Sequence, residues 1–318
     1  MINEYPWLIE TYQSHERAIK EHKSAHAFLI QGDEGIGRLA LSKSMSNIFL
    51  GFDEADGSEI KDEILITTLM NEKSKTKRVI GIDQIKALKD SLLLTSLKGT
   101  GKVGIIYQAE RMTSPAAASL LKILEEPPQN TMIILITESS GELPKTIVSR
   151  CQIINSGYPN NQESIEWLEA RENGDWSIAL SIFGNRPLLL NDMGYEYLND
   201  QINSLSSEIS GLIDGKIKPT EISWKKEDIQ IKFRILYSWI LKYLEIRLLK
   251  SNDDQNLPNG LKRMLDENID HGHCFSLMDE IIKLKNLHYT GRALVWDIHI
   301  IRLLNNLFID MSGMKEYV

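Results

Sequence analysis

The sequence predicts a parallel α/β domain followed by a wholly helical part. Residues 103–107 and 132–136 are continuous apolar runs of strand length, the pattern of strands covered on both faces. Between them Ala117, Leu120, Leu121 and Leu124 recur at helical spacing, so the segment reads strand, helix, strand, a right-handed parallel crossover. Past Cys151, after one more short strand, the character changes from α/β to helical and the apolar residues keep helical spacing.

The elements follow in order. Tyr5-Pro6-Trp7-Leu8 opens a leading segment, and residues 26–30 read as the first strand. Gly32-Asp33-Glu34-Gly35-Ile36-Gly37-Arg38-Leu39 turns from that strand into a helix that runs through Phe49. An acidic tract to Glu63 and the basic group Lys73, Lys75, Lys77 and Arg78 read as a solvated loop before residues 79–82. From Ile82 a helix uses Ile85, Leu88 and Leu92. In the crossover, Ser114 reads as the cap of a helix whose first residue is Pro115, since the first turn leaves that N–H unpaired anyway. Pro127 and Pro128 end it by removing donors and forcing the preceding residue out of helical geometry.

Residues 152–155 read as a further strand, and Tyr158-Pro159-Asn160-Asn161 is a turn cluster marking a boundary. Helices follow around Trp167-Leu168 and over 176–183. Further on, Leu198, Ile202, Leu205 and Ile209 form one stripe, and Ile231, Ile235, Trp239 and Leu244 part of a longer one. Ile281 and Leu284, then Leu294, Ile298, Ile301 and Leu304, add two more helices, giving a bundle. Lys225, Lys226, Lys232 and Arg234 read as a solvated helix face.

A chain of 318 residues exceeds one typical core and suggests two or three domains. With 42% apolar and 25% charged residues the composition is that of a globular protein rather than a disordered one. The start MINEYPWLIE lacks a signal pattern and no apolar run approaches the ~20 residues of a bilayer span, so a cytoplasmic protein is expected. A net charge of −8 argues against coating nucleic acid by bulk electrostatics. The 2 cysteines, Cys151 and Cys274, cannot build a four-thiolate zinc site. His271 and His273 lie near Cys274 without a fourth ligand in view, so no metal is expected.

The run SLLKILEEPPQNT (119–131) followed by LPKTIVSRCQ (143–152) resembles the AAA+ core of bacterial replicative clamp-loader subunits, and VIGIDQIKAL (79–88) extends the match upstream. Among those subunits the chain most resembles the delta prime family of DNA polymerase III. The resemblance implies a P-loop NTPase-like parallel-sheet domain over residues 1–157, a small helical lid over 158–206 and a C-terminal helical collar over 207–318. It also implies partners: the tau/gamma ATPase subunits and the delta subunit of a clamp loader, with the sliding clamp and primer-template DNA reached through the complex. Family members commonly carry four zinc-binding cysteines after the first helix; this chain has none between Phe49 and Val79.

Against the family's nucleotide motifs the sequence departs in two places. In a working P-loop, backbone N–H groups cradle phosphates, a lysine reaches the β/γ-phosphates and a Ser/Thr hydroxyl holds magnesium. Gly32 and Gly37 stand at the right separation, but Arg38 takes the lysine place and Leu39 the hydroxyl place, and Asp33 and Glu34 repel a triphosphate. The strand at 103–106 should end in an acidic pair that orders magnesium and water; Tyr107-Gln108-Ala109-Glu110 fills neither position, and Glu110 reads as a helix-entry or surface carboxylate. Thr137 matches a γ-phosphate-sensing position and reads equally as a hydroxyl satisfying backbone at a strand end. Arg186 lies one residue before the lid arginine of the family, with Pro187 in its place, and reads as a surface residue or a weak phosphate contact.

What remains intact is Ser149-Arg150-Cys151. By resemblance Arg150 is an arginine finger acting in trans on the nucleotide of an adjacent subunit, while Cys151 reads as a small buried side chain. The expected function is therefore a non-hydrolysing clamp-loader subunit, part of a nucleotidyltransferase holoenzyme, with no nucleotide or zinc of its own. Two other classes compete with it: a hydrolysing AAA+ motor using Arg38, and a DNA-binding module with a vestigial P-loop.

Overall fold

The computed structural model describes residues 2–21, 23–52, 64–67, 79–93, 101–249, 257–267, 269–289 and 296–311. The acidic tract to Glu63, the basic group 73–78, Leu294 and most of the stretch without zinc-binding cysteines lie outside the described residues. The chain divides into two compact units, one of 1–164 with 185–189 and one of 165–184 with 190–318.

The first unit is built on five parallel strands: β1 Ala27–Gln31, β2 Ile64–Thr67, β3 Lys102–Tyr107, β4 Thr131–Thr137 and β5 Gln152–Asn155, in the order β2-β3-β4-β1-β5. Every pairing is parallel. β4 is buried along its whole length, as its unbroken apolar run requires. Side chains alternate across β1: Ala27 and Leu29 join the cluster under α3 (Ile82–Leu93) and α4 (Ser114–Glu125). Phe28 faces the opposite way and meets His15 of α1 (Pro6–Lys20) edge-on at 6.3 Å. Helix α2 (Arg38–Phe49) packs with α1, so helices cover both faces, the P-loop NTPase-like arrangement expected. Gln31 pairs with Thr137 on one side and Asn155 on the other. The carboxyl ends of three strands thus meet at one level, where open parallel sheets place their sites.

Several local readings are corrected. β2 was not expected; Ile64-Leu65-Ile66-Thr67 adds an edge strand to β3 within what reads by charge as a solvated loop. The α4 cap is Thr113, whose hydroxyl accepts from the Ala116 N–H, because Ser114 already has helical geometry and Pro115 sits one position further in. A third concerns the last helix below.

The second unit is helical: the end of α6 (Asn161–Glu169), α7 Ser177–Phe183, the end of α8 (Pro187–Met193), α9 Tyr195–Ile213, α10 Ile229–Leu249, α11 Asn259–Asp266, α12 His271–Tyr289 and α13 Trp296–Met311. The α9 stripe Leu198, Ile202, Leu205 and Ile209 is buried, as are Ile235, Trp239 and Leu244 of α10 and Ile281 and Leu284 of α12. On α13 the buried side is Ile300, Leu303, Leu304 and Leu307, while Ile298 is 63% exposed. The buried face differs from the expected stripe, with Leu304 alone common to both, because the elements α13 packs with, among them α12 and α9, select the face that is covered. Lys232 is no solvated cation: its ammonium lies 2.5 Å from Glu208 Oε1 and 3.0 Å from Ser204 Oγ, while Trp224 Nε1 donates to Glu208 Oε2 at 2.8 Å. His273 Nε2 donates to the Asn306 carbonyl at 2.8 Å, and Cys274 is buried.

Candidate functional site

The strand-to-helix turn after β1 has the expected shape. Gly32 and Gly37 are buried at its two ends, and Gly37 caps α2 in the left-handed region at φ 94°, where a Cβ is penalised. Four contacts from the chain itself then hold the loop. The Asp33 N–H, of the kind that cradles phosphate in a working loop, donates to Tyr158 Oη at 3.0 Å. The Leu188 N–H donates to the Gly35 carbonyl at 3.0 Å, and Trp7 Nε1 donates to the Ile36 carbonyl at 2.8 Å. Across the turn, Arg186 Nη2 lies 3.1 Å from Asp33 Oδ2. Gly35, at φ 83°, is pressed so closely that a Cβ there would sit 2.5 Å from Leu189 Cβ. Arg186 is therefore not a free surface group; its charge is met by the loop carboxylate.

The electrostatics at the strand ends disfavour an anion. Tyr107 is held above the usual phenol pKa, first by burial and further by Glu34, Glu110 and Glu138, with Arg38 opposing. Three carboxylates and one guanidinium thus share the space around its hydroxyl. Arg38 is buried at 5% exposure, and the Leu39 side chain beside it offers no oxygen to a metal. Of the two readings of Glu110, helix entry and surface carboxylate, its position fits the first: it lies in the first turn of the 3-10 helix Ala109–Arg111, and its Oε2 is buried without a hydrogen-bond partner among the described residues. Thr137 is fully buried and its hydroxyl donates to the Ser139 carbonyl at 3.0 Å, so its proton serves its own turn.

A family profile described as "DNA polymerase III, delta subunit" matches residues 8–157. Proteins named DNA polymerase III subunit delta' match further. The one from Haemophilus influenzae is 32% identical over 197 residues, 58% of this chain and 60% of the relative. That from Pseudomonas aeruginosa is 28% identical over 274 residues, 81% of each. Over these spans the chain is similar to the delta prime subunits of DNA polymerase III. A solved DNA polymerase III gamma subunit-related protein from Thermotoga maritima aligns with a TM-score of 0.56 at 21% identity, over 95% of this chain and 99% of that one, a likeness of fold.

The Ser149-Arg150-Cys151 segment leaves the short helix α5 (Lys145–Val148). Ile147 is fully buried, and Val148 and Cys151 pack against the same core cluster, which fixes the backbone beneath Arg150. The Arg150 side chain keeps 37% exposure. Its Nη1 donates to the Thr146 carbonyl at 2.9 Å and approaches Ser149 Oγ at 3.5 Å, and its Nη2 lies 2.7 Å from Glu125 Oε1. Sequence reasoning missed Trp7, Tyr158 and Glu125. Glu125 was legible as the last residue before the diproline stop, but nothing in sequence placed it opposite Arg150.

Cys151 is half-buried, and burial pushes its thiol from 9.0 to about 12. The thiolate is the reactive form, so iodoacetamide is expected to label Cys151 far more slowly in the folded chain than in urea at about pH 8. Because the folded state holds this proton more tightly, the associated stability is complete below about pH 9 and falls as pH rises toward 12. Urea midpoints measured across that window check the sign.

Proposed function

We propose that the chain is a non-hydrolysing subunit of the DNA polymerase III clamp loader that lends Arg150 in trans to the nucleotide of an ATPase neighbour. On this reading it sits with tau/gamma ATPase subunits and the delta subunit in the cytoplasm, and the complex places the sliding clamp on primer-template DNA. It takes neither nucleotide nor zinc itself; residues 1–157 carry the AAA+ core, 158–206 the lid and 207–318 the collar. The single observation that carries the proposal is the Asp33–Arg186 ion pair across the P-loop, which puts a carboxylate and its own counter-ion where a triphosphate needs unspent positive charge. The half-exposed guanidinium of Arg150 supports the other half of the reading, since a phosphoryl-transfer arginine must reach charge outside its own chain.

Titration of the purified chain with MgATP tests the first half, with no saturable binding expected at micromolar concentrations. Restoring the motif residues by Arg38→Lys with Leu39→Thr is expected to leave binding absent, because Asp33, Glu34 and the contacts from Tyr158 and Leu188 remain. Micromolar binding by the unaltered chain would instead favour the motor reading.

A further inference from the structure

Resting on that reading of Arg150, we infer that Glu125 is a positioning residue for the trans-acting guanidinium. The two residues come from different elements with independent anchors. Glu125 is the last residue of α4, whose Leu120, Ile123 and Leu124 are buried, and the chain turns away at once through Glu126, Pro127 and Pro128. Arg150 follows α5, anchored by buried Ile147. Their side chains meet at 2.7 Å.

The guanidinium is thereby held from two sides. Nη1 is tied to the Thr146 carbonyl of its own turn and Nη2 to the Glu125 carboxylate. A planar fork has five N–H donors, so these two contacts leave Nε and further Nη hydrogens for a phosphate. Holding a long, rotamer-rich side chain in one geometry before the neighbour docks removes an ordering cost from the reaction step. Glu125 and Arg150 are 51% and 37% exposed, so the pair is weak in water. A contact of that strength orients the fork without withholding it from a more highly charged phosphoryl group.

A double-mutant cycle in the reconstituted complex tests the assignment, with Glu125→Gln, Arg150→Ala and the double variant compared for ATP turnover, KM for ATP and assembly. Gln keeps the size and removes the charge, and thermal melts of each chain check that the fold is intact. Glu125→Gln is expected to lower kcat by roughly 3- to 10-fold with KM and assembly unchanged, and to have no further effect in the Arg150→Ala background. If Arg150→Ala lowers turnover but Glu125→Gln has no effect, or the same effect in both backgrounds, the positioning role is overturned and the arginine reading stands. If Arg150→Ala leaves turnover unchanged, the arginine reading falls and the positioning role with it.

Discussion

Replacing Arg150 with alanine is expected to cut ATP hydrolysis at the neighbouring site by on the order of 10³-fold while the complex still assembles, since arginines supplied in trans to phosphoryl transfer have effects of that size. The physical reason is that charge developing on the transferred group needs a donor already in place, in a site from which water is excluded. Arg150→Lys should recover little, because a lysine carries the charge but not the planar fork that meets two phosphate oxygens. Neither change should disturb the fold: the side chain is 37% exposed and its ion pair with Glu125 is solvated, so the cost in stability is within about 0.5 kcal/mol. Steady-state turnover and size-exclusion of the reconstituted complex check the two halves. A fall in turnover accompanied by dissociation would point to an interface role instead.

The largest stability effect is expected at Lys232. Its side chain and that of Glu208 are 6% and 19% exposed, and Trp224 Nε1 completes the carboxylate's hydrogen bonding. Lys232→Met leaves Glu208 buried without its cation, a loss of about 3 kcal/mol, and thermal melting should fall by roughly 6–12 °C. Adding Glu208→Leu to Lys232→Met should recover a large part of that loss, because the desolvated charge is then gone from both sides. Trp224, which donates to Glu208, provides a fluorescence signal local to the change. Equal melting temperatures for the single and double variants would show that the pair contributes through packing rather than charge.

The sequence reading succeeded where one periodicity controlled one element. The apolar runs of β3 and β4, the α4 stripe, the diproline stop and the α9 stripe all reappear because burial on both faces or on one stripe leaves a pattern in the order of residues. It failed where position depended on a distant partner. β2 escaped because four residues between an acidic and a basic stretch gain their meaning only from pairing with β3. The buried face of α13 depended on the elements it packs with, among them α12 and α9. Lys232 looked like part of a basic surface until Glu208, from another helix, turned up beside it.

The same division runs through the candidate site. The departure from the P-loop motif was legible in Arg38 and Leu39, because residue type alone decides whether a hydroxyl or an ammonium is present. The contacts that hold the loop were not legible. Asp33 meets Arg186, the Asp33 N–H meets Tyr158 Oη, and Ile36 meets Trp7 across the fold, and no local spacing encodes such meetings. Glu125 and Arg150 belong to the same class: each stood inside a recognisable motif, and only the geometry joined them.

The most direct measurement is ATP turnover in reconstituted complexes in which a single ATPase subunit at a time keeps a working P-loop, assembled with the unaltered chain or with Arg150→Ala. The account predicts that turnover in one of these complexes collapses with Arg150→Ala, that the others are unaffected, and that the purified chain hydrolyses nothing. Turnover indifferent to Arg150 in every complex, or ATP hydrolysis by the chain alone at the rate of its neighbours, would contradict it.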